Sequence, residues 1–206
     1  MRPLPRLHAV TDARVLADPD LGRKAAALAA LGPALALHLR DHAATTSALA
    51  TQGRRFVALA TPPEAAVFVN GRPDLARALG AHGVQLGGGD LAPADARRVL
   101  GPGWVGRSVH SEAEARTAVD EGADFLLVGA IYPTDSHPGR PAAGLELISR
   151  AAALGRPVVA IGGITPERVA ACRGAGAWGV AAIRALWEAE DPYAAGRAML
   201  DACEVA

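Results

Sequence analysis

Eight times along the chain a short β-rich apolar run is followed by a Gly or polar turn and then by an Ala/Leu/Arg stretch of helical character. The runs fall at 7–12, 34–40, 66–70, 83–86, 105–110, 125–131, 157–162 and 179–184. Strands that alternate with helices pair in parallel through right-handed crossovers. Eight units of roughly 25 residues suit a compact closed (β/α)8 barrel better than an open doubly wound sheet. The first run also lacks the GxGxxG turn of a dinucleotide-binding open sheet. Helical character is clearest at 18–31, 111–121 and 165–175. Ser111 and Thr165 stand where N-caps belong, Glu114 follows Ser111 at capping-box spacing, and Pro166 occupies a first-turn position. The FVALA run inside 54–62 is read as the end of the second helix rather than as a strand. No linker or low-complexity tract divides the 206 residues, so residues 1–206 are expected to form a single domain.

Half of the residues are hydrophobic but only 4% are aromatic, so the core must be built from Ala, Val, Leu and Ile. Lys+Arg and Asp+Glu balance at 21 each, which argues against a nucleic-acid or acidic-membrane partner. Cys172 and Cys203 lack CxxC or His-rich surroundings and read as buried free thiols of a reducing compartment. Neither a signal-like N-terminus nor an apolar run of spanning length is present, so a cytoplasmic location is expected.

In such a barrel, polar side chains at the C-terminal ends of strands face the mouth. Strand one ends at Thr11 and Asp12, and strand two at His38, Arg40, Asp41 and His42. Strand three ends at Asn70 and Arg72, and strand four at Gln85 and the Gly87–Gly88–Gly89–Asp90 run. Strand five ends at Arg107, Ser108 and His110, and strand six leads to Tyr132, Thr134, Asp135, Ser136 and His137. Asp12 and Asp41 also suit helix capping, while His8 and His82 fall outside the set and read as structural. Arg40 leaves an apolar strand, where an unpaired guanidinium is costly. It requires an anionic partner: Asp12, Asp41 or a ligand.

Gly162 and Gly163 end strand seven just before a helix. Paired glycines let the backbone approach an anion, and free amides at the helix start supply donors. Strand eight ends in Ala182, Ile183 and Arg184. The loops after strands seven and eight form the usual phosphate site of these barrels, so a small phosphorylated ligand is expected there.

The runs LHAVTD, HLRD, VNGRPDLA, GVQLGGGDL, GRSVHS, GADFLLVGAIYPTDSHPG, PVVAIGGITPERV and GAWGVAAI together resemble the thiamine phosphate synthase and TenI superfamily over nearly the whole chain. The resemblance implies a thiamin-biosynthetic barrel that binds a phosphorylated thiazole, with a homodimer as the candidate assembly. Departures from the synthase pattern are specific. The Q-x-R-x-K of strand two reads His38, Leu39, Arg40, Asp41, His42, without the lysine. N-D-R reads Asn70, Gly71, Arg72, which removes one metal carboxylate while Asp90 keeps the other. His137 replaces the lysine after strand six. The GRSVHS and TDSxxG runs look closer to TenI, whose reaction is an aromatising isomerisation of a thiazole carboxylate phosphate. Such a reaction moves a proton and favours histidine. The TenI histidine after strand six is Ala130 here, so His110, with His38, becomes the expected acid/base. Ser108 and Thr134 would orient the ring. Arg40, Asn70, Arg72, Gln85, Asp135 and Ser136 complete the substrate contacts with Gly162, Gly163, Ala182, Ile183 and Arg184. This isomerase reading needs no cofactor or metal. The alternatives are a divergent synthase using Arg40, Arg72, Asp90 and Mg2+, and a non-catalytic sensor of thiazole or thiamin phosphate.

Overall fold

The structure, a computed structural model, describes residues 2–62, 64–134 and 141–204. Eight strands close into one parallel barrel in chain order: β1 (Leu7–Val10), β2 (Leu35–Leu39), β3 (Ala66–Asn70), β4 (Gly83–Leu86), β5 (Trp104–Val109), β6 (Phe125–Val128), β7 (Val158–Ile161) and β8 (Gly179–Ala182). β8 returns to β1 with Leu7 opposite Val180 and Ala9 opposite Ala182. The jacket consists of α1 (Ala13–Leu16), α2 (Leu21–Ala29), α3 (Thr46–Ala60), α4 (Pro73–Leu79), α5 (Pro93–Leu100), α6 (Glu112–Asp120), α7 (Gly144–Ala152), α8 (Pro166–Gly174), α9 (Arg184–Trp187) and α10 (Pro192–Glu204). The expected eight strands and the closed barrel are therefore present, and FVALA lies inside α3.

Strand residues alternate between two cores. One set, including Leu7, Leu37, Val67 and Val84, packs outward against the helices. The other set, Val10, Ala36, Ala66, Phe68, Phe125, Leu127, Val159 and Ala181, fills the barrel interior. The interior is tight enough that glycine is required on β5. A Cβ on Gly106 would sit 2.2 Å from both Gln85 Oε1 and the Phe125 ring.

Several expected strands run too long at their C-terminal ends: 125–131 ends at Val128, and 179–184 ends at Ala182. The regular ladder ends there; beyond β6 single bonds continue from Gly129 N–H to Val109 O and from Ile131 N–H to Ile161 O as the chain turns over the mouth. Ser111 caps α6 by accepting from Glu114 N–H at 3.2 Å, as expected. Glu114 reaches back to His110 N–H at 2.8 Å rather than to the cap residue itself. Thr165 occupies the N-cap of α8 but makes no capping bond, and its hydroxyl is engaged with the Glu167 carboxylate, which is held below its usual pKa. Both cysteines are free and buried, as expected. Among the described residues no helix is long and apolar enough to cross a membrane.

Candidate active site

The mouth of the barrel has an anchoring loop, a cationic corner and a polar wall. The loop after β7 is forced by its two glycines. Gly162 has φ 98° and Gly163 φ 64°, a region that strains any other residue. Their neighbours also leave no room: a Cβ on Gly162 would lie 2.6 Å from the Ala130 Cβ, and one on Gly163 2.7 Å from Pro133 O. Gly162 O accepts from Tyr132 N–H at 3.0 Å, which fixes the loop against the strand-six connection. Among the described residues, no carbonyl engages the Gly163 or Ile164 N–H. These donors stand at the start of the nine-residue α8, where the helix field favours an anion. Arg168, which sequence reasoning missed, donates to Gly163 O at 2.5 Å and lies over the Tyr132 ring at 4.5 Å. Its signal was its place one turn into the helix after a Gly-Gly loop.

The cationic corner is Arg40, half-buried beyond β2. Thr11 holds its backbone: the hydroxyl accepts from Arg40 N–H at 2.8 Å and lies 2.9 Å from His38 O, to which it donates. Asp12 instead caps α1 through Val15 N–H at 3.0 Å, and Asp41 accepts from Ala43 N–H at 2.8 Å. No carboxylate pairs with the Arg40 guanidinium among the described residues. Of the three expected partners, Asp12 and Asp41 are thus engaged elsewhere.

Arg72 is placed differently from the expectation. It makes a two-bond pair with Asp74, at 2.9 and 2.7 Å, and also donates to Thr46 at 2.9 Å. In this structure its charge is met at the start of α4.

On the polar wall Gln85 Nε2 donates to Ser108 Oγ at 3.0 Å, which leaves the Ser108 hydroxyl hydrogen to point elsewhere. Asn70 lies beside Gln85 in the sheet register. His110 is exposed, and its Nδ1 contacts Gly129 O. A carbonyl accepts only, so in the neutral ring Nδ1 carries the hydrogen and Nε2 holds a lone pair. That is the form a general base needs.

The other expected acid/base, His38, does not reach the mouth. It is fully buried, with one nitrogen on His8 and the other on Asn70. Phe68 stacks on it at 4.9 Å, and burial holds its pKa well below the ordinary histidine value. A ring sealed in this way cannot exchange a proton with a ligand, so the catalytic expectation for His38 is corrected. His8, read as structural, is its partner. His82 is structural too, accepting from Val67 N–H at 3.1 Å.

Thr134 lies beyond β6, Ala182 ends β8, Ile183 follows it and Arg184 begins α9, with Ala182 buried and the others half-buried. Asp135, Ser136 and His137 fall outside the described residues.

Asp90 Oδ2 accepts from Gly87 N–H at 2.6 Å and so closes the glycine loop. A Cβ on Gly71 would lie 3.1 Å from Asp90 Oδ1, so the lost family carboxylate would have stood beside the retained one. Among the described residues no three His, Cys, Asp or Glu side chains gather as a metal site. Mg2+ is commonly held by one or two carboxylates together with substrate phosphates and water. The single Asp90 carboxylate meets the lower end of that requirement.

Comparison with known proteins follows the same lines. The family model described as thiamine monophosphate synthase, TMP-TENI, matches residues 7–186. The thiamine-phosphate synthase of Thermus thermophilus is 46% identical over 149 residues, covering 71% of this chain and 72% of that protein. The thiamine-phosphate synthase of Salinispora arenicola is 41% identical over 208 residues, 98% of this chain and 99% of that one. The solved thiamine phosphate pyrophosphorylase of Pyrococcus furiosus superposes with a TM-score of 0.84 at 31% identity, covering 97% and 96% of the two chains. An eight-stranded barrel with a Gly162–Gly163 loop after β7, matched over 180 residues by the family model, makes the chain an enzyme-family member: it belongs to the TMP-TENI family of thiamine biosynthesis.

Proposed function

We propose that the protein is a thiamine phosphate synthase that joins a pyrimidine pyrophosphate to a thiazole phosphate and releases pyrophosphate. The observation that carries this reading is Arg40, a half-buried guanidinium at the mouth with no carboxylate partner among the described residues. The glycine loop supplies one anion site, for a phosphate. To a second site the isomerase's thiazole carboxylate phosphate would bring only a singly charged carboxylate, whereas a pyrophosphate brings a multiply charged group. A second, separate cationic corner suits a second anionic group, the departing pyrophosphate. The names of the relatives support the same choice over the isomerase.

In this reading the thiazole phosphate rests on the Gly163 and Ile164 amides and the start of α8. Arg40 faces the pyrophosphate, whose negative charge grows as its bond to the pyrimidine carbon breaks and the bond to the thiazole forms. A positioned cation lowers that barrier because it meets charge present mainly in the transition state. Asp90 would hold Mg2+, which adds further neutralisation of the leaving group. Ser108 and Asn70 orient the rings. Mixing both substrates with Mg2+ and following pyrophosphate and thiamine phosphate tests the proposal; no release at high enzyme concentration would end it.

A second reading, thiazole tautomerisation, draws support from His110, whose Nδ1 is fixed by Gly129 O and whose Nε2 meets no partner among the described residues. An NMR time course of the thiazole carboxylate phosphate in D2O separates the two. Acceleration by the wild type that His110→Ala abolishes would favour tautomerisation.

A further inference from the structure

A line of hydrogen bonds runs from the barrel floor to the mouth through β1, β2 and β3. His8 Nε2 lies 3.1 Å from Pro5 O, His8 Nδ1 lies 2.8 Å from His38 Nε2, and His38 Nδ1 lies 3.2 Å from Asn70 Oδ1. Both rings are fully buried. They face Phe68 and Phe125, with His38 stacked flat on Phe68.

The order of donors in this line can be counted from its fixed end. Pro5 O only accepts, so His8 Nε2 carries a hydrogen. A neutral imidazole has one N–H, so His8 Nδ1 is a lone pair and His38 Nε2 must donate to it. The neutral His38 then has a lone pair at Nδ1. An oxygen of Asn70 opposite that lone pair would leave two acceptors facing each other in an apolar interior, which costs more than a missing bond in water. A half-turn of the carboxamide exchanges its oxygen and nitrogen with no other movement. The other solution puts a proton on the pair and makes one ring a cation. Among the described residues no carboxylate contacts either ring and each ring's only titratable neighbour is the other, and burial disfavours the charge.

We infer that His8 and His38 act as positioning residues that turn the Asn70 amide NH2 inward and its carbonyl oxygen outward, so that this corner of the mouth presents a hydrogen-bond acceptor. The Asn70 oxygen therefore selects a ligand group that brings an N–H or O–H donor, or a cation, and opposes a second acceptor there. The orientation does not depend on which reaction the enzyme runs; its consequence for substrate rests on the synthase reading.

Nitrogen-15 NMR of the histidine rings in the ligand-free wild type reads the order directly. Both His8 and His38 are expected as neutral Nε2–H tautomers between pH 6 and 8. A hydrogen on His38 Nδ1, or a doubly protonated ring in that range, would overturn the inference whatever the enzyme turns over. Two substitutions carry it to binding. His38→Gln can donate to His8 and accept from Asn70, so the order survives, and its KM for the pyrimidine pyrophosphate should stay within about twofold of wild type. His38→Leu removes the acceptor for Asn70. Its KM should rise about tenfold with a smaller change in kcat, the scale of one hydrogen bond. Equal KM values for folded His38→Leu and wild type would sink the link to substrate. If His38→Leu does not fold, the tautomer measurement and the His38→Gln kinetics still decide. Absence of any turnover would refute the synthase proposal alone, since the NMR experiment contains no substrate.

Discussion

Arg40 holds a full charge in a half-buried position, and nothing in the described fold neutralises it. If its partner is the leaving pyrophosphate, Arg40→Met should lower kcat/KM by about 10- to 100-fold, the scale of hydrogen bonds to a charged group. The melting temperature should hold or rise, because an unpaired guanidinium is removed. Steady-state pyrophosphate release and a thermal melt check both halves; a large stability loss with unchanged kinetics would assign Arg40 a structural role. This residue was legible in the sequence because a charge leaving an apolar strand must be met by something. For Arg72 a partner was in plain view, since Asp74 stands two positions on and pairs with it. The His8–His38 contact was not legible. The two lie 30 residues apart on neighbouring strands, and a one-residue slip in pairing would have turned one ring outward. Register is a property of the closed barrel, not of either strand's sequence.

Among the described elements, three helices have hydroxyl residues at their N-caps. Thr45 of α3 and Ser111 of α6 bond with their side chains and Thr165 of α8 does not, and the last two give a paired prediction. Ser111 closes the start of α6 by accepting from Glu114 N–H, so Ser111→Ala should cost about 1 kcal/mol. Thr165 has the same sequence signal but leaves the start of α8 without a capping bond. Thr165→Ala should cost measurably less, and urea unfolding of the two variants reads the difference. Equal losses would mean that Thr165 caps in solution. At the start of α8 Pro166 has no N–H, Glu167 N–H meets its own carboxylate and Arg168 N–H donates to Thr165 O. The amides left for a ligand are therefore those of Gly163 and Ile164 in the preceding loop. A further test lies in that loop. Gly163→Ala puts a Cβ 2.7 Å from Pro133 O at φ 64° and should destabilise by about 1–3 kcal/mol. Inorganic phosphate binding, followed by calorimetry, should weaken with it. The strands themselves were legible as alternating apolar runs between turns. Their C-terminal limits were not, because the residues that leave the sheet to line the mouth, such as Gly129 to Ile131, are as apolar as those that stay.

At the scale of the whole molecule, the buried histidines tie stability to pH in a definite window. Burial lowers the pKa of His8 from 6.5 to about 4, pushes that of His38 well below its ordinary value, and lowers that of the half-buried His82. Unfolded rings take up protons as the pH falls through about 6.5, whereas the native rings do not. The unfolded state therefore binds more protons below that pH, and stability must fall as the pH drops. The contribution of His8 is complete near pH 4 and amounts to about 3 kcal/mol, 2.5 units at 1.36 kcal/mol each. Carboxylates cannot mimic this window. Asp74, held low chiefly by its bond to Arg72, loses its contribution only as the pH falls below about 3.8. Urea midpoints should be flat from pH 8 to 7 and should fall steadily from 6.5 to 4, with a smaller slope in His8→Phe. A flat profile down to pH 5 would show that the rings are hydrated in solution. Below pH 4 a native molecule that gains a proton on His8 must reverse every bond in the line to Asn70, drawing its carbonyl oxygen inward. Weaker pyrimidine pyrophosphate binding should then accompany the loss of stability, and His38→Leu, already without the line, should not show that further pH-dependent weakening.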